Sequence, residues 1–211
     1  MNQTIKGVAG AFLAQIIKNK VSQTLPEFRI FDSSCPVQGV SFQMVYNLIY
    51  KLFRKAQIEP ECIIASVEYC DQFQRISGQM LKASNYQRLI FVSILIASKV
   101  WDDVSCSSKS FALCTSEMSL RELNEMERTF CKTLNFELFL DSGDYRDYYY
   151  DMKRIWLSLQ VSEDLDIKGW QDVQVQQIQS DTNWITWGID QLKCQAISGD
   201  VKQVKQINNL Q

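Results

Sequence analysis

The sequence predicts an all-α bundle, and three observations carry that reading. From Ser41 onward apolar residues recur at three- and four-residue spacing. No stretch sustains the alternation of a half-buried strand, and no internal repeat is evident. One segment, Leu89–Ala97, leaves no polar face, so other helices must surround it. The 211 residues are 46% hydrophobic and 22% charged, enough to bury one core and carry extensions. The expected organisation is a five-helix bundle over residues 40–139. An N-terminal amphipathic helix and linker (1–39) precede it, and a C-terminal helix with a glutamine-rich tail (140–211) follows.

The elements are justified in order. Ile5, Val8, Phe12 and Ile16 share one helical face, which reads as an amphipathic helix. Lys6 before an apolar run gives this end a faint likeness to a signal peptide, but Gln15 interrupts the run and no clean cleavage site follows. Pro26 to Gly39, with Pro26 and Pro36, reads as a linker. A first bundle helix opens at Ser41 and carries Phe42, Val45, Tyr46, Ile49, Phe53 and Ala56. Pro60 suits the first position of a second helix, with Ile63, Val67, Cys70 and Phe73 on one face and Ser77-Gly78 at its end. A third opens at Ser84, whose spacing to Gln87 suits a capping box, and runs to Trp101. A short fourth covers Ser107–Thr115. A fifth opens on a second capping box, Ser119 with Glu122, and carries Leu120, Leu123, Phe130 and Leu134. Tyr145, Tyr148, Tyr149 and Tyr150 begin another helix, expected to reach about Leu159. Residues 171–211 hold ten glutamines, with one more helix expected around Trp184, Ile185, Trp187, Ile189 and Leu192, and Asp181 near its cap.

Composition removes whole classes of function. The chain has no histidine, which excludes Ser-His-Asp and Cys-His triads, an HExxH zinc site and a histidine general base. The eight glycines never form GxGxxG or GxxxxGK, so nucleotide binding has no support. A net charge of −2 does not suggest a nucleic-acid partner. Seven cysteines, an odd number without C-x-x-C spacing, read as reduced, mostly buried thiols of a cytoplasmic or nuclear protein. The longest apolar run, Leu89–Ser98, is too short to span a bilayer. The expectation is therefore no catalytic residue, metal, cofactor, small-molecule substrate or membrane span. Asp102 and Asp103 could ligate a metal, but adjacent acids at a helix end read more simply as a solvated face. The tyrosine cluster fits either a binding platform or core packing, and the tail tryptophans fit either a partner anchor or packing on the bundle.

Two charges break the apolar stripes. Val92, Leu95 and Ile96 lead by helical steps to Lys99, and Leu123, Glu127, Phe130 and Leu134 share one face. Unpaired burial of either charge would be costly, and pairing with each other is the economical solution. On spacing alone an internal ion pair tying two helix ends is the simpler reading. The alternative is a partly buried pair that also offers hydrogen bonds to a partner's backbone. An activated lysine amine has less support, since nothing nearby reads as a Schiff-base pocket.

These same residues carry a family resemblance. LIFVSILIASKVWDDVS (89–105) followed by ELNEMERTFCKTLNFEL (122–138) resembles a cyclin box. It is most similar to the single-box cyclins of the cyclin Y and fungal phosphate-regulating (P-type) branch, whose tyrosine-rich last helix is matched by DYRDYYYDM (144–152). The resemblance covers roughly residues 40–155. It implies a five-helix bundle with a buried third helix, and a regulatory subunit that binds and activates a cyclin-dependent protein kinase. The alternative is a cyclin-fold scaffold, transcription-factor-like, without kinase activation. By this resemblance Lys99 and Glu127 contact the kinase around its mobile αC helix, while Ile96, Val100, Phe136 and Leu138 pack apolar surface on it. The cyclin pushes αC inward so that the kinase's own Lys–Glu pair forms. Two departures stand out. The first helix, SFQMVYNLIYKLF, lacks the Arg and Trp with which cell-cycle cyclins dock substrates, and the usual Asp-Arg of the second helix is Asp71-Gln72, which alters a buried charge network.

Overall fold

The computed structural model describes residues 2–19, 24–33, 39–104, 106–115 and 118–163. The glutamine-rich tail, its helix around Trp184 and the Pro36 part of the linker lie outside the described residues. Among the described residues all regular structure is helical: α1 (Asn2–Lys18), a 3-10 helix (Pro26–Phe31), α2 (Phe42–Ala56), α3 (Pro60–Ser77), α4 (Tyr86–Trp101), α5 (Ser108–Ala112), α6 (Leu120–Thr133) and α7 (Ser142–Glu163).

Local chemistry sets most of these boundaries. The Ser41 hydroxyl accepts from the Met44 amide and starts α2. Pro60 occupies the first turn of α3, and Gly78 closes it with φ 69°, a conformation glycine adopts without strain. At α6 the expected capping box forms: Ser119 Oγ accepts from the Glu122 amide, and Glu122 Oε2 accepts from the Ser119 amide at 2.9 Å. The box expected at Ser84 does not form. Ser84 Oγ donates instead to Asp32 Oδ1 at 3.0 Å, and α4 begins two residues later, after Asn85. Asn85 spends its side chain on the preceding loop, accepting from the Lys82 amide and donating to the Met80 carbonyl.

The central helix is where the sequence put it: every residue of α4 from Leu89 to Ser98 is buried. It has company. α3 is buried without a break from Cys62 to Asp71, because it lies against α4, α1, α6 and α7. The N-terminal helix is not amphipathic in its setting, which corrects the sequence expectation. It packs on α2, α3 and α7, and all of residues 7–16 are buried. Its contact with α7 is close: a Cβ on Gly7 would stand 2.4 Å from the Met152 carbonyl oxygen. The start of the supposed linker is also core. Phe28 and Phe31 each meet Phe73 edge-on, with ring centroids 5.3 Å apart, and Phe73 stacks on Phe130 at 4.6 Å.

Candidate functional site

The last turn of α4 carries Lys99, and α6 carries Glu127. Lys99 Nζ donates to Glu127 Oε1 at 2.5 Å and to Ser108 Oγ at 2.6 Å. Ser108 Oγ donates in turn to Glu127 Oε2 at 3.0 Å, so three helices meet in one closed ring of hydrogen bonds. The two charged side chains remain 30% and 22% exposed. An ammonium has three N–H donors and two are used here, so the pair keeps hydrogen-bonding capacity for a further group.

Exposed apolar side chains follow each member of the pair along the sequence. Val100 is 47% exposed, and Phe136, three residues beyond α6, is 65% exposed. Phe136 and Asn135 hold φ of 60° and 51°, which a bulky residue rarely adopts. Leu138 is half-buried. Ile96 departs from the expectation of a surface contact: at 2% exposure it belongs to the core, because α4 is enclosed at that level of the bundle. Sequence reasoning missed Ser108, and also Phe139 and Val104, which are strongly exposed. Phe139 had a signal in the sequence, since FELFL packs three more apolar residues around Phe136 and Glu137 than a turn needs.

The neighbouring polar groups have structural duties. Asp102 Oδ1 accepts from the Glu59 amide at 3.3 Å and from the Cys62 thiol at 3.2 Å, so its charge sits on the N-terminus of α3. That is a cap made across helices, neither a metal ligand set nor a purely solvated face. Burial, followed by Asp102, pushes the Cys62 thiol well up, so it stays protonated. Among the described residues no cluster of three or more acids, thiols or imidazoles could hold a metal ion. No helix among them is long and apolar enough to cross a membrane.

A buried polar network centres on Asp71. Its Oδ1 accepts from Gln15 Nε2 at 2.7 Å and its Oδ2 from the Tyr148 hydroxyl at 3.0 Å, while Gln74 Nε2 donates back to Gln15 Oε1. Neutral donors from α1 and α7 thus hold a carboxylate buried on α3. Burial, reinforced by Glu68, pushes Asp71 up to about 7. The tyrosine cluster divides: Tyr148 is buried at this acid, Tyr145 stacks on Trp101, and Tyr149 and Tyr150 face solvent.

A helical bundle built round an enclosed helix is consistent with the all-α fold of the cyclin-box class. Residues 13–139 match the family model described as "Cyclin, N-terminal domain", and the chain belongs to the cyclin family. Cyclins are regulatory subunits rather than enzymes. The chain is 27% identical over 119 residues to Cyclin-U3-1 of Arabidopsis thaliana, an overlap covering 56% of this chain and 52% of that protein. It is 29% identical over 111 residues to Cyclin-U4-2 of the same plant, covering 52% and 51%. The chain spans about half the length of these curated relatives. Both names carry the U-type label, not the cyclin Y or phosphate-regulating label that the sequence resemblance suggested.

Proposed function

We propose that the chain is the regulatory subunit of a cyclin-dependent protein kinase, which it binds and activates through the surface around Lys99 and Glu127. The observation that supports this most directly is the part-buried Lys99–Ser108–Glu127 ring, with exposed Val100 next to Lys99 in the sequence and exposed Phe136 in the turn that follows the helix carrying Glu127. A purely structural pair gains nothing from exposed apolar neighbours, whereas an interface needs apolar area together with a few oriented polar groups. Leu138 contributes as a half-buried member of the same segment, and Ile96 acts from beneath by fixing the helix that carries Lys99. The partner's αC helix is the expected contact, and pressing it inward completes the kinase's own ion pair. A cytoplasmic or nuclear site of action, in keeping with reduced thiols, belongs to the same reading.

The test is to measure Lys99→Ala and Glu127→Ala against candidate cyclin-dependent kinases by calorimetry, with a thermal melt of each variant. In the free chain water reaches both partners, so either loss costs on the order of 1 kcal/mol of fold stability. In the complex the survivor is left dry and unpaired, a penalty of about 2–5 kcal/mol, or roughly 30- to several-thousand-fold in affinity. Wild-type binding by both variants sinks the proposal. Tight binding by the wild type with no rise in kinase activity favours the scaffold alternative.

A further inference from the structure

Beneath the exposed apolar segment runs a chain of hydrogen bonds that the ion pair does not use. Trp101 Nε1 donates to the Tyr69 hydroxyl at 3.0 Å, and that hydroxyl donates to the Leu138 carbonyl at 2.6 Å. Tyr69 is fully buried on α3, and burial pushes it up to about 12, so its proton is present to be donated at neutral pH. The Trp101 ring stacks on Tyr145 of α7, with centroids 5.8 Å apart. The following residue, Asp102, is pinned to the start of α3. Trp101 is thereby fixed on two sides, and it lies in the same last turn of α4 as Lys99.

The segment it reaches needs such a hold. Residues 135 and 136 sit in left-handed backbone conformations, and the local bonds from the amides of residues 136, 137 and 138 all lie within the stretch that begins at Cys131. The Tyr69 hydroxyl is the long-range bond on Leu138, spanning 69 residues. Two phenylalanines, Phe136 and Phe139, project to solvent on either side of that carbonyl. An apolar segment left to wander would have to be ordered when a partner binds, which weakens binding.

We propose that Trp101 and Tyr69 are positioning residues that hold the Phe136–Phe139 segment in register with Lys99, so that a partner meets both halves of its contact surface already formed. This rests on the kinase-binding reading above and extends it to two residues that no partner need touch. Trp101 donates to a hydroxyl that itself donates, and such a chain is stronger than its separate bonds. The tie also links the end of α4 to the turn after α6, so displacing one disturbs the other.

The experiment uses the full chain with Tyr69→Phe and, separately, Trp101→Phe. The first keeps the buried ring and removes the hydroxyl. The second keeps an aromatic ring against Tyr145 and removes the N–H, so it serves if the first fails to fold. In the free chain, amide hydrogen exchange at residues 136–138 is expected to accelerate about fivefold or more in both variants, with the mid-α4 amides unchanged. Affinity for the kinase is expected to fall about five- to tenfold. In a Phe136→Ala/Phe139→Ala background the same Tyr69→Phe change is expected to leave affinity where it is, because the groups it positions are gone. A merely structural role would lower the melting temperature equally in both backgrounds and would move affinity in both. Wild-type exchange at residues 136–138, or an affinity loss that persists without the phenylalanines, overturns the proposal. Lys99→Ala separates the two claims. If it and Glu127→Ala both bind as wild type, the kinase reading fails, and the exchange measurement still decides the tie.

Discussion

Asp71 is a carboxyl group held by neutral donors in a place where water does not reach, and its chemistry gives the chain an unusual pH response. Its usual value of 3.8 rises to about 7, and burial likewise lifts Asp151 to about 6 against the opposing pull of Arg154. The folded state therefore keeps protons that the unfolded chain releases. Between about pH 4 and pH 7 the folded form binds more protons, so stability falls as pH rises through that window and levels off above it. One such group contributes a slope of about 1.4 kcal/mol per pH unit. Below that window the sign turns, because Glu122, held low by the Ser119 amide and hydroxyl, loses that advantage on protonation. The expected outcome is a higher melting temperature at pH 5.5 than at pH 7.5. Asp71→Asn should flatten much of the difference, since it keeps the shape without the charge. A wild-type melting temperature that climbs steadily from pH 5.5 to 7.5 contradicts this account. What the sequence disclosed at this scale follows from contradiction. Lys99 and Glu127 were visible because a charge interrupted an apolar stripe. Ser108 in a serine-rich stretch and Tyr69 on an apolar face contradict nothing, so their roles were invisible. The partners of Asp71 lie 56 and 77 residues away, and no local pattern points to them.

At the scale of elements, the capping boxes show why local signals succeed or fail. Ser119 and Ser84 offer the same spacing to a following Glu or Gln, yet only Ser119 makes the box. Ser119 competes with nothing, whereas Ser84 is offered a carboxylate, Asp32, from the other side of a loop. A tertiary partner of higher charge wins over a local one. The all-round apolar character of α4 was a stronger signal, because no alternative burial satisfies it. Ile94→Asp, at a fully buried position, is expected to leave the chain unfolded or insoluble, and a soluble, cooperatively melting variant would refute the central place of α4. For α1 the sequence undercounted. Four apolar positions suggested one buried face, while alanines and glycines, which carry little weight in such a pattern, line the other sides against α2, α3 and α7. Gly7→Ala tests that fit. Helix propensity alone favours alanine by roughly 1 kcal/mol. Here its Cβ would run into the Met152 backbone, so α1 and α7 must part. The expected net result is a loss of about 1–3 kcal/mol, read as a melting temperature lower by several degrees. An unchanged or raised melting temperature would mean the two helices are not held at that distance.

At the scale of the whole molecule, the segment that resembles a cyclin box and the unit that folds are different lengths of chain. The family model begins at residue 13 and the tyrosine-rich motif lies at 144–152, but residues 40–139 are what the sequence reading isolates as the box. Their core is completed from outside. Ile5, Val8, Phe12 and Ile16 of α1, Phe28 and Phe31 of the 3-10 helix, and Tyr148, Met152, Ile155 and Trp156 of α7 are all buried. Removing them would expose the α3 and α2 surfaces they cover and strip Asp71 of both Gln15 and Tyr148, leaving a buried carboxyl group without those donors. Each large apolar side chain lost from a core costs about 2–5 kcal/mol, and the whole stability of a domain is only about 5–15 kcal/mol. A chain of residues 40–139 is therefore expected to show no cooperative thermal transition. A chain of residues 1–163 keeps every core residue described and is expected to melt within a few degrees of the full chain and, under the proposed function, to match the full chain's affinity for a candidate kinase. Circular dichroism melts of both, with calorimetry on the longer, decide the matter. Cooperative unfolding of residues 40–139 near the full-chain temperature would show that α1 and α7 are appendages. Loss of the transition in residues 1–163 would show that residues beyond 163 are part of the fold.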